Sequence, residues 1–317
     1  MSFKIVSTGS YVPEKIVTNE ELTEILDTSN EWIVERTGIN ARHVCTDETA
    51  EDMGIAAAKR ALHAAGATAD QLDFILCATV SPPYVCPNLA SLIQAGIGAD
   101  CPAMDIYAAC SGFPFMLETA AGFFARGKAK KMLVVGAEQM SRVLDWTDRA
   151  TAVIFGDGAG ACVLEAGDNY LASRLYSKGD KETIKIPTKI GISPFFTGEE
   201  DKPLVFMKGQ ETFKFAVSTM ASDIKKCIAD AGIEQSRVDH VIPHQANQRI
   251  IDAAIKRLKI PADRYVVNIN RYGNTSAASI PIALDELNQS GKLKRDDIVV
   301  LSSFGGGLSS ASCVIRW

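Results

Sequence analysis

The 317-residue chain predicts an α/β fold built from two duplicated halves. Three observations lead there. Short apolar runs alternate with amphipathic stretches along the chain, the pattern of strands interleaved with helices. The segment from Ala65 to Cys77 is echoed by Ala231 to Pro243 at an offset of 166 residues, and self-similarity of this kind marks a repeated unit. No linker rich in Pro, Gly or Ser lies between 165 and 175, where Gly167, Asp168 and Asn169 read as a tight turn. Halves 1–166 and 167–317 are therefore expected to pack closely around shared central helices.

The elements follow in order. Met1 to Val6 is a first strand without the layout of a signal peptide. Phe74 to Ala99 carries no charge, but Pro82, Pro83, Pro87, Asn88 and Gln94 divide it. It reads as a strand, a loop and a helix start, not a membrane span. Ala103 to Ala109 is a short apolar run ending in small residues, and the Ala-rich stretch Phe113 to Arg126 is a helix. The strand Met132 to Gly136 corresponds to Ile298 to Ser302, and Gly160 to Leu164 matches Ala311 to Ile315 at a shorter offset. The first half thus has an insertion near 139–151. Adding 166 to Cys110 gives Ser276, so the two following helices should start equivalently.

A net charge of −5 argues against nonspecific binding of nucleic acid, which needs a basic face. The eight Cys lack disulfide-framework spacing and form no C-x-x-C pair. We read reduced thiols in a cytoplasmic chain, without a zinc site. Cys77, Cys162, Cys227 and Cys313 lie in apolar or amphipathic runs and read as small buried hydrophobes. Gly156 to Gly160 looks like a nucleotide loop, but a strand follows it where the dinucleotide fingerprint requires a helix.

Three residues carry the chemistry. Cys110 precedes Ser111 and Gly112 at a strand-to-helix turn, where backbone amides and the helix dipole favour a thiolate. His244 follows the apolar run Val238 to Pro243, at a strand end, where site residues of α/β folds gather. Asn274 lies between Gly273 and Thr275, before another helix. A nucleophile with two side-chain N–H donors suits acyl transfer through a thioester, each donor contributing about 2.7–4 kcal/mol to the developing oxyanion.

Cys110, His244 to Asn247, Gly273 to Ser276 and Phe304 to Gly307 resemble the pattern of the β-ketoacyl-[acyl-carrier-protein] synthase III family. The likeness extends to Thr28 to Ile33, Arg36 to Ile39, Arg149 to Thr151 and Phe155 to Gly160, and so over essentially the whole chain. It implies a five-layered αβαβα thiolase-like fold and the initiating condensation of fatty acid synthesis. An acyl-coenzyme A primer would load onto Cys110. His244 and Asn274 would then hold the thioester oxygen of malonyl carrier protein through decarboxylation. Acyl-CoA is a substrate, and no cofactor or metal is expected.

The resemblance further implies coenzyme A contacts from Thr28, Trp32, Arg36, Arg149, Gly209, Phe213, Ala246 and Asn247. It also implies an acyl pocket of Cys86, Phe155 and Phe304, and a homodimer. On residue chemistry alone, Trp32 could equally pack beside Ile33, and Gly305 to Gly307 could be a plain bend; the resemblance favours an oxyanion role for Gly306. Carrier proteins are acidic, so a local basic face is expected. Gln245, Ala246, Asn247, Gln248 and Arg249 are its candidates, with Lys208, Lys214, Lys256, Arg257 and Lys259 nearby; a solvated face is the other reading of Lys256 to Lys259.

Two positions depart from the pattern. Cys86 stands where relatives often carry Phe, which suggests room for primers longer than acetyl. Ser310 stands where many carry Trp. Competing readings are a related acyltransferase of secondary metabolism with another primer or acceptor, and a cysteine hydrolase with His244 as base.

Overall fold

Strands alternate their side chains between two buried faces, and this builds the layers. The computed structural model describes residues 2–188, 194 and 195, and 202–317. The first sheet uses β1 (Ser2–Tyr11), β2 (Phe74–Ala78), β3 (Ala103–Ile106), β4 (Lys131–Gln139) and β5 (Asp157–Gly167) in the order β1-β5-β4-β2-β3. The second uses β6 (Tyr170–Asp180), β7 (His240–Pro243), β8 (Ile298–Gly305) and β9 (Gly307–Arg316) in the order β6-β9-β8-β7. The two orders are the same. The counterpart of β3 is reduced to one bridge, Val241 to Tyr265.

Ile75 and Cys77 of β2 face α2 (Ala50–Ala65) and α3 (Leu89–Ile97), with Met53, Ala57, Ala61 and Ile93 in that core. Leu76 and Ala78 face the other way, onto α4 (Gly112–Ala125) and α7 (Ser279–Gln289). Both sheets cover α4 and α7, with Ile242, Val299 and Leu301 supplied by the second. This is why Phe113 to Phe124 is apolar nearly all round. On the far side, Ala216, Met220 and Ile224 of α5 (Gly209–Asp230) and Ile250, Ile251 and Ala254 of α6 (Gln248–Arg257) close the fifth layer. A shorter helix, α1 (Asn30–Thr37), packs Ile33 with Leu22, Leu26, Ile39 and Val153 beside this frame.

The central helices share an unusual entry. Each follows one 3-10 turn, Ala109–Ser111 or Ser276–Ala278, and neither has a side-chain N-cap. The first residue of each turn is held at positive φ, 47° at Ala109 and 48° at Ser276. The halves therefore coincide here at an offset of 167, whereas β2 and β7 begin at 74 and 240, an offset of 166. Cys110 is equivalent to Ala277, not to Ser276 as the sequence repeat suggests, because the second half holds one extra residue between β7 and α7.

Candidate functional site

The two helix entries open on one cavity of about 750 Å³, lined by Cys110, His244, Asn274, Ser276, Phe155, Phe304 and the glycines at 305–307. The insertion after β4 supplies another wall through Met140, Arg142, Val143 and Ile154. It is tied to the second half where Phe155 bridges Asn274.

Cys110 keeps some solvent access through the cavity, but its thiol is enclosed. Burial pushes the thiol up to about 12, against the lowering effect of the adjacent Ser276 hydroxyl and with a further rise from the Glu138 carboxylate. Enclosure thus opposes the thiolate that the helix start favours. Close backbone approach explains one glycine. A Cβ on Gly305 would lie 2.8 Å from the Cys110 amide nitrogen, whereas on Gly306 it would come no nearer than 3.4 Å to any atom.

His244 ends β7, with its amide donating to Ser302 O at 2.7 Å and its ring edge against Phe304 at 5.4 Å. Its Nδ1 lies 2.6 Å from Ser279 Oγ, which donates to Ser276 O at 3.0 Å. Nδ1 and the Ser279 hydroxyl share one proton at this contact, and the imidazole tautomer sets which of them donates. Nε2 is buried without a partner among the described residues, and burial lowers the ring to about 3. Resting His244 is neutral, and Nε2 is the ring nitrogen left for the cavity. Asn274 does fit a donor: Oδ1 accepts from Ser276 N at 2.8 Å, which leaves its NH₂ for the cavity.

At the mouth, Trp32 is flanked by two guanidinium groups, Arg36 at 5.7 Å and Arg149 at 5.3 Å from its ring. Asn247 joins this cluster to the cavity by donating to Arg36 O at 2.9 Å. Gly209, Phe213 and Ala246 line the cavity, and the exposed Arg249 stacks on Phe213 at 5.5 Å. Thr28 precedes the Ser29 cap of α1 and does not reach the lining. Gln248, half-buried, bonds Asp252 and packs its Cβ against Gly38.

Two assignments change. Gln245 is buried, its Nε2 donating to Pro243 O and Val266 O and its Oε1 accepting from Asn268 N and Ile269 N. With both ends of its amide used inside the fold it has no surface to offer a carrier protein. Cys86 is exposed and lies outside the cavity lining of its own chain, although Tyr84 and Val85 reach it. Ser310 bonds Asp223 at 2.7 Å on the outer side of the second sheet, away from this cavity.

Sequence reasoning missed Glu138, Ser276 and Ser279. Glu138 had a signal, a carboxylate closing the apolar run Met132 to Ala137. Ser276 belongs to the Gly273 to Ser276 motif, while Ser279 had no signal, since a hydroxyl's partner is set by tertiary contact.

The comparisons agree in kind. Residues 104–179 match the family model for 3-oxoacyl-[acyl-carrier-protein (ACP)] synthase III, and residues 228–317 match that for its C-terminal part. A β-ketoacyl-[acyl-carrier-protein] synthase III from Clostridium acetobutylicum is 45% identical over 100% of this chain and 99% of its own. One from Xanthomonas axonopodis pv. citri is 44% identical over 99% and 98%. The crystal structure of 3-oxoacyl-[acyl-carrier-protein] synthase III from Aquifex aeolicus VF5 superposes with a TM-score of 0.93 at 43% identity, covering 99% of this chain and 100% of that one. With this layered thiolase-like architecture and these relatives, the chain belongs to the β-ketoacyl-[acyl-carrier-protein] synthase III family.

Proposed function

We propose that Cys110, His244 and Asn274 carry the family's reaction in this chain, the condensation of an acyl-CoA primer with malonyl-[acyl-carrier-protein] that initiates fatty acid synthesis. The observation that carries the reading is their convergence on one cavity, with an unpartnered imidazole nitrogen and a free amide NH₂ beside an enclosed thiol. Cys110 attacks the thioester carbonyl, its proton is removed, and coenzyme A leaves as the thiol. Malonyl carrier protein then decarboxylates, and the enolate oxygen is held by Asn274 Nδ2 and by the Nε2–H of neutral His244, whose Nδ1 accepts from the Ser279 hydroxyl. Attack of the enolate carbon on acyl-Cys110 gives β-ketoacyl carrier protein and frees the thiol.

Trp32, with Arg36 and Arg149, suits the adenine and phosphate end of coenzyme A: an aromatic face and two cations at the cavity mouth. Arg249 suits the acidic carrier protein. The chain acts as a homodimer in the cytoplasm. Support comes from Tyr84 and Val85, 56% and 83% exposed at the cavity's edge, where a second copy would cover them and bring Cys86 to a shared pocket. All eight cysteines are free, as a reducing compartment requires.

Intact mass after exposure to a panel of acyl-CoA thioesters, then to malonyl carrier protein, tests the reading. One acyl group on Cys110, released as an extended product with CO₂, supports it. Acylation that malonyl carrier protein neither extends nor removes points to a non-decarboxylating transfer.

A further inference from the structure

Among the described residues, Arg42 is the largest side chain to be fully buried. It sits on the short strand Ala41–His43, which pairs antiparallel with Ile16–Thr18. No acidic side chain of a described residue pairs with it. Burial lowers the guanidinium only to about 10, so it remains a cation at neutral pH. A buried cation without a carboxylate is costly to keep. Here three amide oxygens hold it. Nη1 donates to Val17 O at 3.2 Å and to Asn19 Oδ1 at 2.9 Å, and Nη2 donates to Val153 O at 2.8 Å.

Two of these bonds lead toward the site. Val153 O stands one residue before the strip that fixes Asn274, whose N donates to Ile154 O at 2.9 Å and whose O accepts from Gly156 N at 3.0 Å. Arg42 also packs against that strip along its stem. A Cβ on Gly156 would lie 3.1 Å from Arg42 Cβ, and one on Gly273 would lie 3.4 Å from it. The Asn19 bond leads to the cavity mouth. Asn19 Nδ2 donates to Asn30 Oδ1 at 3.0 Å, at the start of α1, and to Ile39 O at 2.7 Å, just past its end. Trp32 and Arg36 lie on that helix.

We propose that Arg42 is a positioning residue for Asn274: its guanidinium pins the strip from Val153 to Gly156 and so sets where the Asn274 amide stands in the cavity. Asn19 ties the same setting to the helix at the mouth. The role rests on Asn274 holding the enolate oxygen in the malonyl half-reaction. Arg42 does not line the cavity, so it acts through backbone and not on the reacting atoms. Only a planar fork spans acceptors on both sides of it; a lysine ammonium is a single point of charge and cannot.

The test reads the two half-reactions separately. Rapid-quench intact mass gives the rate of Cys110 acylation by acyl-CoA, and released CO₂ gives the decarboxylation of malonyl carrier protein. Both are taken per acylatable Cys110 in wild type, Arg42→Lys, Asn19→Ala, Asn274→Ala and the two combinations with Asn274→Ala. Arg42→Lys is expected to slow CO₂ release by about 10- to 100-fold, as misplacing a catalytic group does. Acylation should stay near wild type. In the Asn274→Ala background Arg42→Lys should add little, since the group it positions is gone. Asn19→Ala removes one of the three acceptors and should show a smaller loss of the same kind; it carries the test if Arg42→Lys does not fold. An equal fall in both half-reactions, or a full further loss on top of Asn274→Ala, makes Arg42 a structural residue and overturns the proposal. If Asn274→Ala alone leaves CO₂ release unchanged, the role given to Asn274 is lost, and the proposal falls with it.

Discussion

His244 Nδ1 lies 2.6 Å from the Ser279 hydroxyl, which also stands 3.0 Å from the Ser276 carbonyl. The pair fixes which imidazole nitrogen faces the cavity and ties it to the helix entry beside Cys110. Ser279→Ala removes one hydrogen bond worth about 1 kcal/mol, so malonyl decarboxylation should slow by roughly 5- to 10-fold. Acyl loading should be unchanged. Equal loss in both half-reactions would show that Ser279 acts on the whole site and not on His244. Asn274→Ala should separate them further, with decarboxylation falling by about 10²–10³-fold.

The same imidazole sets a pH dependence of stability. The fold holds His244 neutral down to about 3, while the unfolded chain protonates it near 6.5. Below 6.5 the unfolded state binds more protons, so this contribution is present above 6.5 and lost as pH falls toward 3. Thermal unfolding of wild type and His244→Gln should therefore diverge, with wild type losing more stability across that window. Parallel curves would mean that the ring is already hydrated in the fold.

Gly305 and Gly306 should differ under the same substitution. Gly305→Ala forces a carbon to within 2.8 Å of the Cys110 amide nitrogen, a backbone that cannot swing aside. It should cost about 1–3 kcal/mol, as overpacking does, and lower kcat by moving the nucleophile's turn. Gly306→Ala meets only ordinary contacts, so its unfolding midpoint should stay near wild type. Calorimetry on both variants decides it.

Trp32→Ala should raise KM for acyl-CoA and leave kcat nearly intact, since Trp32 lies at the mouth and not beside the thiol. Loss of an aromatic platform for a base corresponds to about 1–3 kcal/mol. A fall in kcat at unchanged KM would instead make Trp32 part of the support for α1.

The sequence by itself determined the alternation of strands and helices and picked out the three polar residues, because both depend on local pattern, while the layering came with the family resemblance. Short apolar runs and amphipathic helices announce the sheets and their covers, and Cys110, His244 and Asn274 each stand in an apolar, small-residue setting visible without coordinates. The repeat was legible to within one residue. Its register at α7 was not, because backbone geometry at Ala109 and Ser276, and not side-chain likeness, sets that equivalence. Tertiary structure alone decided the protonation of the site. Enclosure pushes the Cys110 thiol up and holds His244 neutral, and Ser279 orients the imidazole. It also withdrew Gln245 from the surface. Ionisation and hydrogen bonding depend on neighbours distant in the chain and on the water they exclude, and a linear pattern records neither.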